Sequence, residues 1–142
     1  MIRVVADANV LVSAAISRDP DSPPAVILDA VLDGRVELVT SPALLAEIGA
    51  VLARPRMRRY LSLDEADRFV GDLASLTALH ADAPLPHPAV CRDPADDYLV
   101  SLAVASGVEA IVSGDLDLLS LEQTEPVVVT PRALLERMAA ER

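Results

Sequence analysis

Lysine is absent from this chain: all 12 of its basic residues are arginine. That excludes a Schiff-base nucleophile and the phosphate-gripping lysine of a P-loop. Cysteine occurs once, at Cys91, so neither a disulfide framework nor a cysteine-rich zinc site is expected. Tryptophan is missing, and the aromatics are Tyr60, Phe69 and Tyr98, too few for an extended base-stacking platform. No apolar run approaches the roughly 20 residues needed to span a bilayer. The start, Met1-Ile2-Arg3-Val4-Val5, enters a strand directly with no signal-peptide pattern, which points to a cytoplasmic protein. Positive charge is scarce too. A formal net charge of −10 argues against a broad electrostatic grip on nucleic acid. Neither a Gly-x-Ser-x-Gly elbow nor a Gly-x-Gly-x-x-Gly turn occurs, which disfavours serine hydrolysis and dinucleotide binding.

What is present is a 142-residue chain, 52% hydrophobic, long enough for a single domain over residues 1–142. Ile2 to Ala6 reads as a strand buried on both faces, followed by a short helix from Val10 to Ile16. A helix starting at Pro24 ends at Gly34, and Val36 to Val39 is a second strand. Ser41-Pro42 launches a helix from Ala43 to Ala53, and a short helix from Arg56 to Leu61 follows. Asp64 is expected to cap a helix from Glu65 to His80, and Ala83 to Val90 is at most a short edge strand. A helix from Asp96 to Ser106 closes at Gly107; Glu109 to Val112 and Val127 to Val129 are strands, and Thr130-Pro131 opens the last helix. Strands alternating with helices make this an α/β chain with a mainly parallel sheet.

Acids recur beside the strand ends: Asp7, Glu47, the Asp96-Asp97 pair, and Asp115 with Asp117. In an open parallel sheet, ligands bind outside the carboxyl ends of the strands. Asp7 closes the first strand and Asp115 lies just past the strand ending at Val112. Glu47 is about 7–8 Å along its helix from Pro42, at the same edge. The helix from Asp96 must begin there to run down into the strand that follows it. Gathering carboxylates costs repulsion and desolvation, and a hard divalent cation offsets both.

Four segments carry a family resemblance. They are Val4-Val5-Ala6-Asp7-Ala8-Asn9, Ser41-Pro42-Ala43-Leu44-Leu45-Ala46-Glu47-Ile48, Asp93-Pro94-Ala95-Asp96-Asp97 and Ile111-Val112-Ser113-Gly114-Asp115-Leu116-Asp117. In this order and spacing the chain resembles PIN-domain proteins, in particular the bacterial toxin components of toxin–antitoxin systems related to VapC-type toxins. The resemblance implies a three-layer α/β/α sandwich and a Mg²⁺- or Mn²⁺-dependent endoribonuclease. Its acids fall on Asp7, Glu47, Asp96 and Asp115, with Asp97 a close competitor of Asp96 and Asp117 auxiliary. Asn9 and Ser113 would support them. RNA as substrate, an antitoxin as partner and a homodimer are implied as well.

The arginines Arg54, Arg56 and Arg58, followed by Arg59, are candidate RNA contacts; a solvated basic face or an antitoxin-docking surface suits them equally well. His87 and Cys91 are too few for a zinc site. Two alternatives stand beside the nuclease. A metal-dependent phosphatase would also use acids at this edge, but Asp7-Ala8-Asn9 lacks the second Asp of an Asp-x-Asp motif. A non-catalytic PIN-fold binding domain is disfavoured by acids retained at every motif.

Overall fold

The computed structural model describes residues 1–84, 97–120 and 126–141. Among these, the strands are β1 (Ile2–Ala6), β2 (Val36–Thr40), β3 (Ala78–Leu79), β4 (Ala110–Val112) and β5 (Val127–Val129). All pair in parallel, in the spatial order β3-β2-β1-β4-β5. Their β-branched residues suit strands covered on both faces. Val4, Val5, Ala6, Val39, Ile111 and Val112 are wholly shielded from solvent.

The helices are α1 (Ala8–Ile16), α2 (Pro23–Leu32), α3 (Pro42–Leu52), α4 (Leu63–Leu76), α5 (Asp97–Ser106), α6 (Leu116–Leu119) and α7 (Pro131–Ala140), with a 3₁₀ turn at Pro55–Arg59. Parallel connections cross over right-handedly. Travel from β1 through β2 to β3 therefore stacks α1 to α4 on one face. Travel from β3 back to β4 reverses direction and lays α5 on the other face, against β1 and β4. The result is the α/β/α sandwich expected from sequence. It also fixes the place where strand order reverses, between β1 and β4, and the crevice beyond their carboxyl ends is where such sheets bind ligands.

Local chemistry explains the element ends. Ser41 Oγ accepts the Leu44 N–H at 3.2 Å, and Pro42 occupies the first turn, where no N–H is required. At the end of α5, Gly107 has φ +67°, the Val108 N–H reaches the Ala103 carbonyl at 3.4 Å, and the Gly107 N–H reaches that of Val104 at 3.3 Å. Gly107→Ala should therefore cost about 1–2 kcal/mol in urea unfolding, because a Cβ disfavours this backbone region. An unchanged midpoint would show that the turn relaxes.

Two expectations needed correction. The helix expected from Glu65 to His80, capped by Asp64, instead spans Leu63–Leu76 and is capped by Ser62, whose hydroxyl accepts the Glu65 N–H at 3.0 Å while Glu65 accepts the Ser62 N–H at 3.0 Å. The Ser62 N–H bonded to its carboxylate, and then the neighbouring Ser62 hydroxyl, hold the Glu65 carboxyl below its ordinary pKa. Beyond Leu76 the chain turns extended: Thr77 Oγ1 lies 2.8 Å from Thr40 Oγ1, and Ala78–Leu79 becomes the edge strand. The segment 83–90, read as at most an edge strand, lies mostly outside the described residues. No helix among the described residues is long and apolar enough to cross a membrane.

Candidate active site

Asp7 is where the sheet ends and α1 begins. Its backbone N–H still pairs with β4, donating to the Val112 carbonyl at 2.8 Å. Its side chain then caps α1, with Oδ1 accepting the Asn9 N–H at 3.3 Å. The other oxygen, Oδ2, takes a hydrogen bond from Ser113 Oγ at 2.9 Å. Ser113 Oγ also accepts the Asp115 N–H, at 3.0 Å. A backbone N–H can only donate, so the single hydroxyl proton of Ser113 is directed at Asp7. Ser113 is completely buried and Asp7 nearly so, at 9% exposure. Asp115 is half-buried, and Asn9 is exposed and holds Asp7 through its backbone.

The remaining acids arrive on helices from both faces. Because α5 packs on β1 and β4, its first turn sets Asp97 at this edge, 2% exposed, where the positive end of the helix dipole favours a carboxylate. Glu47 is exposed on α3 and accepts a hydrogen bond from the Tyr98 hydroxyl, next to Asp97. The rim thus holds two groups: Asp7 with Asp115 through Ser113, and Glu47 with the Asp97 turn through Tyr98. Tyr98 has no site role in the sequence reading; its adjacency to the acid pair is the available signal. Asp96 and the side chain of Asp117 lie outside the described residues, as do His87 and Cys91. Among the described residues, no three acids make a ready-formed ligand group.

The donor chemistry nevertheless suits a hard cation. A carboxylate offers about four lone-pair positions. Asp7 spends two on neutral donors, and no ion pair reaches it among the described residues, where the pairs are Arg3–Glu37 and Arg35–Asp33. A largely buried carboxylate without a cationic partner is costly, and an oxygen-seeking divalent ion offsets that cost.

The arginine run divides. Arg54 and Arg56 face solvent. Arg58 turns inward instead: its Nη2 donates to the Leu52 carbonyl at the end of α3, where a positive charge complements the dipole. Its Nε and Nη1 are buried without an acceptor among the described residues.

Residues 3–117 match the PIN domain. An uncharacterized protein of Methanocaldococcus jannaschii, MJ1680, is 36% identical over 124 residues, which cover 84% of this chain and 75% of that protein. Among solved structures, PAE2754 from Pyrobaculum aerophilum superposes with a TM-score of 0.66 at 19% identity, over 98% of this chain and 90% of its own. VapBC2 from Rickettsia felis, solved bound to a DNA fragment from its promoter, gives 0.58 at 13% identity, over 91% of this chain and 98% of that one. FitAcB from Neisseria gonorrhoeae gives 0.54 at 16%, with the same coverage of 91% and 98%. At such identities these structures speak for the fold. The PIN match itself spans every acidic motif from Asp7 to Asp117, and the chain belongs to the PIN-domain family, whose members are generally nucleases.

Proposed function

We propose that this protein is a metal-dependent endoribonuclease and the toxin of a toxin–antitoxin pair. The observation that carries the reading is the largely buried Asp7, held by Ser113 and Asn9 at the strand-order reversal and lacking a cationic partner among the described residues. Asp7, Glu47, Asp115 and one of Asp96 and Asp97 would hold Mg²⁺ or Mn²⁺, with Asp117 auxiliary. The chemistry such an ion would supply when bound is a more acidic water and compensation of negative charge at the phosphodiester. The chain's own part is orientation. Ser113 fixes the rotation of Asp7 and, through the Asp115 N–H, the turn that carries Asp115. Tyr98 holds Glu47 from the opposite layer.

The test is cleavage of single-stranded RNA by purified protein, with Mn²⁺ or Mg²⁺ and with chelator. Internal cuts are expected with ion and none with chelator. Equal cleavage in both, or none on any RNA, would remove the reading.

An antitoxin partner is supported by likeness of fold to VapBC2 and FitAcB. Homodimerisation through helical surfaces away from the rim is supported by apolar surface there: Leu32 and Leu76 are 56% and 58% exposed beside a groove between α2 and α4 lined by Leu28, Phe69 and Leu73. Light scattering at micromolar concentration should give twice the chain mass. A monomer would leave this surface to another partner.

A further inference from the structure

Beyond the acidic rim, the least expected feature of so acidic a chain is a pocket walled by arginine. It measures about 350 Å³ and is lined by Ile16, Arg56, Met57, Arg59 and Tyr60. Arg18, from the loop after α1, is fastened to the same place by a hydrogen bond from its Nη2 to the Arg59 carbonyl at 3.3 Å. The Arg59 guanidinium lies over the Tyr60 ring, 5.3 Å from its centroid, and Tyr60 is 42% exposed. The chain carries a net charge of −10, yet none of Arg18, Arg54, Arg56, Arg58 and Arg59 pairs with a carboxylate among the described residues. Arg58, between Arg56 and Arg59 in sequence, keeps two buried guanidinium nitrogens without an acceptor among the described residues. With carboxylates in such excess elsewhere, guanidiniums left unpaired together make a local positive field that an anion can claim.

We propose that Arg18, Arg56, Arg59 and Tyr60 form an accessory subsite for single-stranded RNA, which grips backbone phosphate and stacks a base. Guanidinium forks match phosphate oxygens in two-point contacts. An exposed tyrosine ring beside them accepts the face of an unpaired base, as single-stranded RNA presents it. An acidic polypeptide would satisfy the arginines but make no use of the ring. The pocket lies at the far end of α1 from Asp7, about 13 Å along the helix axis. A strand a few nucleotides long therefore reaches from one to the other. The substrate class rests on the nuclease reading; the subsite itself does not.

The experiment separates the two. Binding of a short fluorescein-labelled single-stranded RNA is followed by anisotropy in chelator, across a salt series, for wild type, Arg56→Gln/Arg59→Gln, Tyr60→Ala and Tyr60→Phe. All these arginine and tyrosine changes are at exposed positions, and a thermal melt checks folding. The double variant should bind roughly tenfold or more weakly, with its salt slope reduced by about 1.4, as for two lost phosphate contacts on a single strand. Tyr60→Ala should weaken binding and Tyr60→Phe restore it. Unchanged affinity and slope in the folded double variant would overturn the subsite even where wild type cleaves RNA. RNA binding lost in the double variant, with no cleavage by wild type, would uphold the subsite and remove the nuclease. Polyglutamate binding that depends on these arginines, without RNA binding, would assign the patch to an acidic protein partner and overturn the proposal.

Discussion

Asp7→Asn is expected to abolish ribonuclease activity, by at least roughly a thousandfold, which corresponds to about 4 kcal/mol of barrier. Even groups one step removed from a metal cost 10–100-fold when changed, so a direct ligand should cost more. The fold should barely notice. Asparagine caps helices as well as aspartate does, and its carbonyl oxygen can keep the Asn9 N–H. Its amide would face Ser113, whose oxygen has a second lone pair to accept it, although the hydroxyl proton then loses its acceptor. One negative charge also leaves the rim. Activity and stability are therefore predicted to separate. Full activity in the purified variant, free of contaminating nuclease, would move the chemistry elsewhere; collapse of the fold would show that Asp7 acts mainly as a cap.

The second large effect is ion-linked stability, which needs no knowledge of the RNA. A site made only in the folded chain stabilises it by about 1.4 kcal/mol when the ion stands tenfold above its Kd. For a domain of this size the midpoint should rise by roughly 3–6 °C. Mn²⁺ should act at lower concentration than Mg²⁺, being higher in the affinity order and readier to shed water. Asp115→Asn should weaken the response and Asp117→Asn should do so less. Melts in millimolar ion against chelator decide it: no shift in wild type or variants would leave these acids as surface charges.

Much of this was legible because short-range chemistry and long-range topology agree. The β-branched run closing on Asp7 could only be a buried strand, and Ser41-Pro42 marks a helix start by its hydroxyl and its missing N–H. What escaped has physical reasons. Ala78 and Leu79 continue an apolar helical pattern, and only pairing of Thr77 and its successors with β2 makes them a strand. Asp64 looked like a cap because acids favour helix starts, yet Ser62 and Glu65 stand at capping-box spacing and win two bonds. The four-residue helix α6 is too short to show a helical period. At the site, single residues were readable but links between layers were not. Nothing local announces that Tyr98 reaches Glu47, that Arg18 joins the 3₁₀ turn, or that Arg58 points inward while its neighbours do not.

The bond from Ser113 to Asp7 joins residues 106 positions apart, and β4 completes the reversal of strand order only by pairing with β1. During synthesis β1 therefore emerges long before the partner that gives its terminal acid a function. A growing chain that stops short of Ser113 holds Asp7, Glu47 and the Asp96-Asp97 pair but has no Asp115, and of the two bonds that orient Asp7 it can make only the local one from the Asn9 N–H. Contacts of such sequence separation also form late, since the intervening loop must close first. On the proposed reading RNA surrounds the chain on the ribosome, and the edge that would cut it is incomplete until β4 has joined β1.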